Sequence, residues 1–239
     1  MSFDPSPSSP RPAPAAPSKR PSALIPTLVI LGVLGILLMI FTTFYTDFLW
    51  YASLDKESVF TTLLVTQLGL FVVFGLLMAT AVGVTMLIAF RSRPEMGVMS
   101  AEQISLERYR ASLEPFHKVI LIGIPTLFGV MAGMSASSQW QAFMTFRYST
   151  PFGQTDPQFN TDISFFALQD PFLRFVLGFM VAVLILCLMM AAATHYVYGG
   201  LRLQGPTPRT SRAAHVQLSI LGGLFMLLKA VGYWLDRYG

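Results

Sequence analysis

The sequence predicts an all-α membrane protein, a bundle of about five transmembrane helices with a cytoplasmic N-terminus and an extracytoplasmic C-terminal end. Three observations carry this prediction: an apolar composition, five apolar runs of spanning length, and loop charges that alternate along the chain. Of 239 residues, 54% are hydrophobic and only 12% charged, whereas a soluble domain carries about 25% charged residues. So little polar surface cannot cover a water-soluble core, and the excess apolar surface must face lipid. The net charge of +4 matters here through its placement, since nothing in its clustering points to nucleic acid.

The elements follow in order. Residues 1–22 hold Pro5, Pro7, Pro10, Pro12, Pro14, Pro17 and Pro21. Proline fixes φ and removes backbone donors, so this stretch is expected to be a disordered cytoplasmic tail. The rest, 23–239, reads as one multi-pass membrane domain. Its helices are expected at about 23–44, 60–90, 119–137, 172–198 and 216–234, each near or above the roughly 20 residues that cross a 30 Å hydrocarbon layer. Backbone polar groups in lipid need internal partners, which makes each run a helix. The second run exceeds the bilayer thickness and is expected to tilt or project. The first follows Lys19 and Arg20 but is too long for a signal peptide's apolar core and lacks a small-residue cleavage site; it reads as an uncleaved anchor.

Loop charge sets the orientation. Arg11, Lys19 and Arg20 precede helix one, and Arg91, Arg93, Arg108, Arg110 and Lys118 lie between helices two and three. Arg202, Arg209 and Arg212 follow helix four. The intervening loops hold Asp47, Asp55 and Glu57 against Lys56, then Asp156, Asp162 and Asp170 against Arg147 and Arg174. Basic loops stay in the cytoplasm, so the N-terminus is expected inside and the end of helix five outside a cell membrane. Tyr45, Phe48, Trp50 and Tyr51, then Tyr196 and Tyr198, then Tyr233 and Trp234 sit where interfacial rings are expected.

Two loops carry patterns of their own. Ser100 to Gln103 has capping-box spacing, and Leu106, Tyr109, Leu113 and Phe116 recur at helical intervals. A cytoplasmic amphipathic helix is therefore expected over about 100–114, lying on the membrane surface. The external loop over about 139–171 mixes aspartates with Phe159, Phe165 and Phe166. It is expected to lie along the interface with its rings turned toward lipid or neighbouring helices.

Few residues invite chemistry. Lys229 lies inside the fifth apolar run, one heptad before Asp236. An intramembrane cation either lines a polar path or snorkels outward, here with Asp236 as the expected partner. Asp156, Asp162 and Asp170 are too widely spaced for a calcium loop; loop structure is the preferred reading, with Asp170 before Pro171 as a helix start. His195, His117 and His215 share no i, i+4 spacing, so zinc-protease geometry is absent and His195 reads as an interface histidine. Ser135, Ser137 and Ser138 lie in no nucleophile elbow. Cys187, the sole cysteine, reads as a small apolar helix residue and forms no disulfide within the chain. No catalytic, cofactor or metal pattern emerges, and the chain reads as a non-enzyme. Gly129 and Gly133 form a small-xxx-small pair for helix packing, and Pro125 is expected to bend the same helix.

Several strings together resemble the actinobacterial membrane proteins grouped as uncharacterised protein family 0182. They are Phe48-Leu49-Trp50-Tyr51 with Ser58-Val59-Phe60-Thr61-Thr62, Asp156-Pro157-Gln158-Phe159 with Asp162 and Phe165, His195-Tyr196 with Gly199-Gly200-Leu201-Arg202-Leu203, and Leu228-Lys229-Ala230-Val231 with Tyr233-Trp234-Leu235-Asp236-Arg237-Tyr238. The resemblance implies a multi-pass region in the bacterial cytoplasmic membrane followed by a large extracytoplasmic portion, so this chain is expected to be a fragment of a longer protein or a split gene product. It implies no activity. The leading expectation is a membrane anchor or scaffold for that external portion, or for a membrane or envelope protein partner, with the lipid bilayer as its medium. The competing one is a transporter or channel subunit in which Lys229, Pro125 and His195 line a polar path.

Overall fold

The computed structural model describes residues 24–92, 114–202 and 209–238. The expected tail over 1–22 and the amphipathic helix over 100–114 lie outside them, apart from Glu114. Among the described residues the fold is helical apart from one short two-stranded ribbon, with five helices long and apolar enough to cross a membrane. Two compact units meet in sequence at Phe60 and Thr61.

The first unit contains α1, Leu24–Ser53, and the opening of α2, Glu57–Arg91. Helix α1 is apolar on every side, and its aliphatic side chains from Leu28 to Ile40 are exposed, as in a helix whose solvent is hydrocarbon. The hydroxyls of Thr42 and Thr46 donate to the carbonyls of Leu38 and Thr42, 2.7 Å away in each case. The helix runs beyond Phe44 to Ser53 because the aromatic cluster is part of it. Phe44, Phe48 and Tyr51 each pack on Phe60 with centroids 5.4–5.8 Å apart. Between them Leu54–Lys56 make a tight turn with Asp55 in the left-handed region (φ 56°), which Asp tolerates better than most side chains.

The second unit holds the remainder of α2, then α3 (His117–Ser137), α4 (Trp140–Arg147), α5 (Asp170–Val197) and α6 (Arg212–Asp236). Its core is built from Leu70, Phe74, Met78, Val82 and Met86, one face of α2 at intervals of four. Ala132 and Ala136 of α3, and Phe172, Phe179, Val183 and Cys187 of α5, pack on that face.

Small residues let α2 and α3 approach closely. A Cβ on Gly129 would stand 2.8 Å from both the Gly75 carbonyl and the Ala79 methyl. One on Gly133 would stand 2.7 Å from the Phe71 carbonyl. Pro125 continues the same seam, its ring 3.5 Å from a Cβ placed on Gly83. The matching stripe on α2, Gly75, Ala79 and Gly83, makes this a two-sided small-residue crossing.

The stretch between α4 and α5 is folded. Thr155 and Asp162 form an isolated antiparallel bridge, and a π-helical turn, Phe165–Gln169, leads into α5 at Asp170 with Pro171 in its first turn. Phe159, Phe165 and Phe166 turn onto Tyr238 beyond the end of α6, with centroids 5.2–6.2 Å apart.

Candidate functional site: two polar clamps in an apolar bundle

The first clamp grows from the end of α5. Gly199 adopts φ +75°, its N–H bonds the Tyr196 carbonyl, and Gly200 N–H bonds the His195 carbonyl at 2.7 Å. This Schellman closure turns the chain sharply back. Gly200 then lies so close that a Cβ on it would stand 2.9 Å from His195 Nδ1 and 3.2 Å from Ser211 Oγ. Two short strands, Leu201–Arg202 and Arg209–Thr210, pair and return the chain to Ser211. Ser211 caps α6 by accepting from Ala214 N–H at 3.1 Å, satisfying one of the helix's free donors.

This closure covers His195, which is 1% exposed. It is therefore a core residue and not the interface histidine expected from its place near a helix end. Gln217 of α6 donates to the Thr85 carbonyl of α2 at 2.9 Å, and its Oε1 lies 2.9 Å from His195 Nε2. A carbonyl can only accept, so the Gln217 amide must face Thr85 with nitrogen and His195 with oxygen. His195 Nε2 consequently carries the hydrogen. Helices α5, α6 and α2 are thus joined through one chain of bonds.

The second clamp closes the opposite ends of α5 and α6. Arg174 Nε bonds Asp170 Oδ2 at 2.6 Å, one turn earlier on α5, and Nη1 bonds Asp236 Oδ1 at 3.0 Å. Its Nη2 donates to the Leu235 carbonyl at 3.3 Å. Asp236 is therefore paired with Arg174 and not with Lys229. Asp170 Oδ1 is buried without a hydrogen-bond partner among the described residues. Lys229 is exposed on α6 with Nζ 5.2 Å from the Tyr233 ring centroid, a cation–π contact one turn nearer the end of the helix.

Asp156 and Asp162 serve the loop. Asp162 accepts from the N–H groups of Phe152 (3.1 Å), Gly153 (2.9 Å) and Ser164 (2.8 Å). With the Ser164 side chain as the largest contributor, these donors pull its carboxyl from 3.8 to about 2. Asp156 accepts from Phe159 N–H at 3.1 Å. Among the described residues no group of three His, Cys, Asp or Glu is placed to hold a metal. A separate cleft of about 580 Å³ opens between α2, α4 and α5, walled by apolar side chains with Arg147 and Tyr148 in its lining.

The sequence strings shared across this bundle are those of a known group. The profile of Uncharacterised protein family UPF0182 matches residues 24–239. This chain belongs to that family. A UPF0182 protein of Streptomyces coelicolor is 50% identical over 233 residues, which cover 98% of this chain and 23% of the relative. UPF0182 proteins of Frankia casuarinae and of a Nocardioides species are 43% and 44% identical, over 94% and 99% of this chain. The chain spans about a quarter of the length of the curated relatives it matches. No solved structure matches it. Both clamps and the small-residue crossing fall within the stretch matched to UPF0182.

Proposed function

We propose that this UPF0182 chain is a membrane anchor or scaffold in the bacterial cytoplasmic membrane, orienting an extracytoplasmic portion or an envelope partner. The supporting observation is that its two polar clusters lie at opposite ends of the α5–α6 pair. Between them α5 presents Phe179, Val183, Cys187 and Ala191, all buried, which offers no polar steps for a solute. The small-residue crossing of α2 and α3 adds a rigid seam. Orientation follows from charge: Arg91, Lys118 and Arg212 lie at the His195 end, and Asp156, Asp162, Asp170 and Asp236 at the other. By the preference of Lys and Arg for cytoplasmic loops, the end of α6 faces outward.

The test is the composition of the native assembly. The full-length gene product is tagged, gently solubilised and identified by mass spectrometry. A reproducible stoichiometric envelope partner is the expected result. A homogeneous assembly of this protein alone, together with solute flux abolished by Lys229→Met at normal expression, would overturn the scaffold reading in favour of transport.

A further inference from the structure

The cleft between α2, α4 and α5 has the dimensions and polarity of a site for one lipid chain. Along α2 it runs from Thr61 to Phe74, thirteen residues that rise about 20 Å. Half of a hydrocarbon layer of about 30 Å is about 15 Å, so the cleft is long enough to run the depth of one leaflet. Its floor is apolar, with Gly69, Leu70, Phe74 and Phe172, and its volume is about 580 Å³. The polar lining is confined to Thr61, Thr62 and Thr66 near the start of α2 and to Arg147 and Tyr148 at the end of α4. Arg147 is the one charged residue in that lining, and its guanidinium carbon lies 5.8 Å from the exposed Tyr148 ring. A cation with no salt bridge among the described residues, placed over an apolar slot one leaflet deep, complements a phosphate esterified to an acyl-bearing glycerol.

We propose that this cleft binds an anionic phospholipid, with an acyl chain along α2 and its phosphate on Arg147. The inference rests on the reading that the five helices cross a membrane, and goes beyond the scaffold role. Two substitutions separate its parts. Arg147→Gln removes the charge and keeps the cleft. Gly69→Leu fills the slot, and a Cβ there meets nothing within 4 Å, so the helix tolerates it.

The experiment uses full-length protein, first checked for resistance to alkaline extraction from membranes, so that failure of membrane insertion is recognised separately. Protein reconstituted in equimolar phosphatidylglycerol and phosphatidylethanolamine vesicles is purified, and its retained phospholipid is measured by native mass spectrometry. Wild type is expected to retain phosphatidylglycerol preferentially. Arg147→Gln is expected to lose about tenfold in that preference, the size of one charge-assisted bond. Gly69→Leu is expected to retain neither lipid. Equal retention of the two lipids by wild type, an unchanged preference in Arg147→Gln, or unchanged retention in Gly69→Leu would each overturn the proposal.

Discussion

Replacing Gln217 by Leu removes the middle of the bond chain from His195 to the Thr85 carbonyl. The consequence can be apportioned. Interhelical hydrogen bonds in membrane proteins contribute about 0.6–1.7 kcal/mol each. The Thr85 carbonyl lies inside a helix and keeps its backbone partner, so the Thr85 bond is worth the low end. His195 is different: its Nε2–H, in a site 1% exposed, is left without an acceptor, which costs about 1–3 kcal/mol. A net destabilisation of about 2 kcal/mol is expected. Substituting His195 by Phe in the same protein removes the orphaned donor, so the double variant is expected to be less damaged than the sum of the singles by about 1–2 kcal/mol. The assay is reversible unfolding of the detergent-solubilised protein, run as a four-corner cycle. A loss below about 0.5 kcal/mol for Gln217→Leu, or strict additivity of the pair, would refute the clamp.

Three further outcomes follow from the geometry. Gly133→Ala places a methyl 2.7 Å from the Phe71 carbonyl and is expected to cost about 1–3 kcal/mol, whereas Gly123→Ala, with open space around its Cβ, is expected to be neutral or stabilising by up to about 1 kcal/mol; thermal unfolding compares them. Arg174→Met is expected to destabilise by about 1–2 kcal/mol after allowance for its partial exposure, while Lys229→Met changes stability by less than about 0.5 kcal/mol, both read by the same unfolding assay. Asp162 has its carboxyl lowered from 3.8 to about 2, so its contribution to loop order is fully present above about pH 4 and is lost as pH falls through 2; hydrogen-exchange protection of the Phe152, Gly153 and Ser164 amides is expected to follow that course, and decay already complete at pH 4 would contradict it.

The parts of this fold legible in sequence are those set by one-dimensional properties. Run length and hydropathy locate all five spanning-length helices. The end of α1 was not legible, because Thr46 and Asp47 interrupt the apolar run, and the helix continues by packing its last aromatics onto Phe60, a contact outside the run itself. Asp170 and Arg174 carry an i, i+4 signal, but the third member, Asp236, lies 62 residues from Arg174. Gln217 and Thr85 lie 132 residues apart and are neutral, so neither charge nor hydropathy singles them out. Burial of His195 depends on Gly200 folding back against it, a property of the turn after α5 and not of the helix that carries the histidine. The α2 stripe of Gly75, Ala79 and Gly83 was available at the same spacing as Gly129 and Gly133, and the pairing of the two stripes was the missing step.

The depth of the clamps explains why a bundle this apolar tolerates them. From Gln217 to Asp236 is nineteen residues of α6, and from Arg174 to His195 is twenty-one of α5, rises of about 28 and 31 Å. Each matches the roughly 30 Å hydrocarbon layer, so a bilayer crossed by this pair would have the polar groups at its two edges, where desolvation costs least. Helix α2 then links two seams: its Phe71, Gly75, Ala79 and Gly83 meet α3, and its Thr85 carbonyl meets α6. Phe71 and Thr85 are fourteen residues apart on one helix, about 21 Å, well beyond the 7–10 Å over which substitutions couple. Gly133→Ala and Gln217→Leu are therefore expected to add within about 0.5 kcal/mol. Coupling above 1 kcal/mol would mean that α2 shifts as a rigid rod when either seam is strained, and that the two seams are one device.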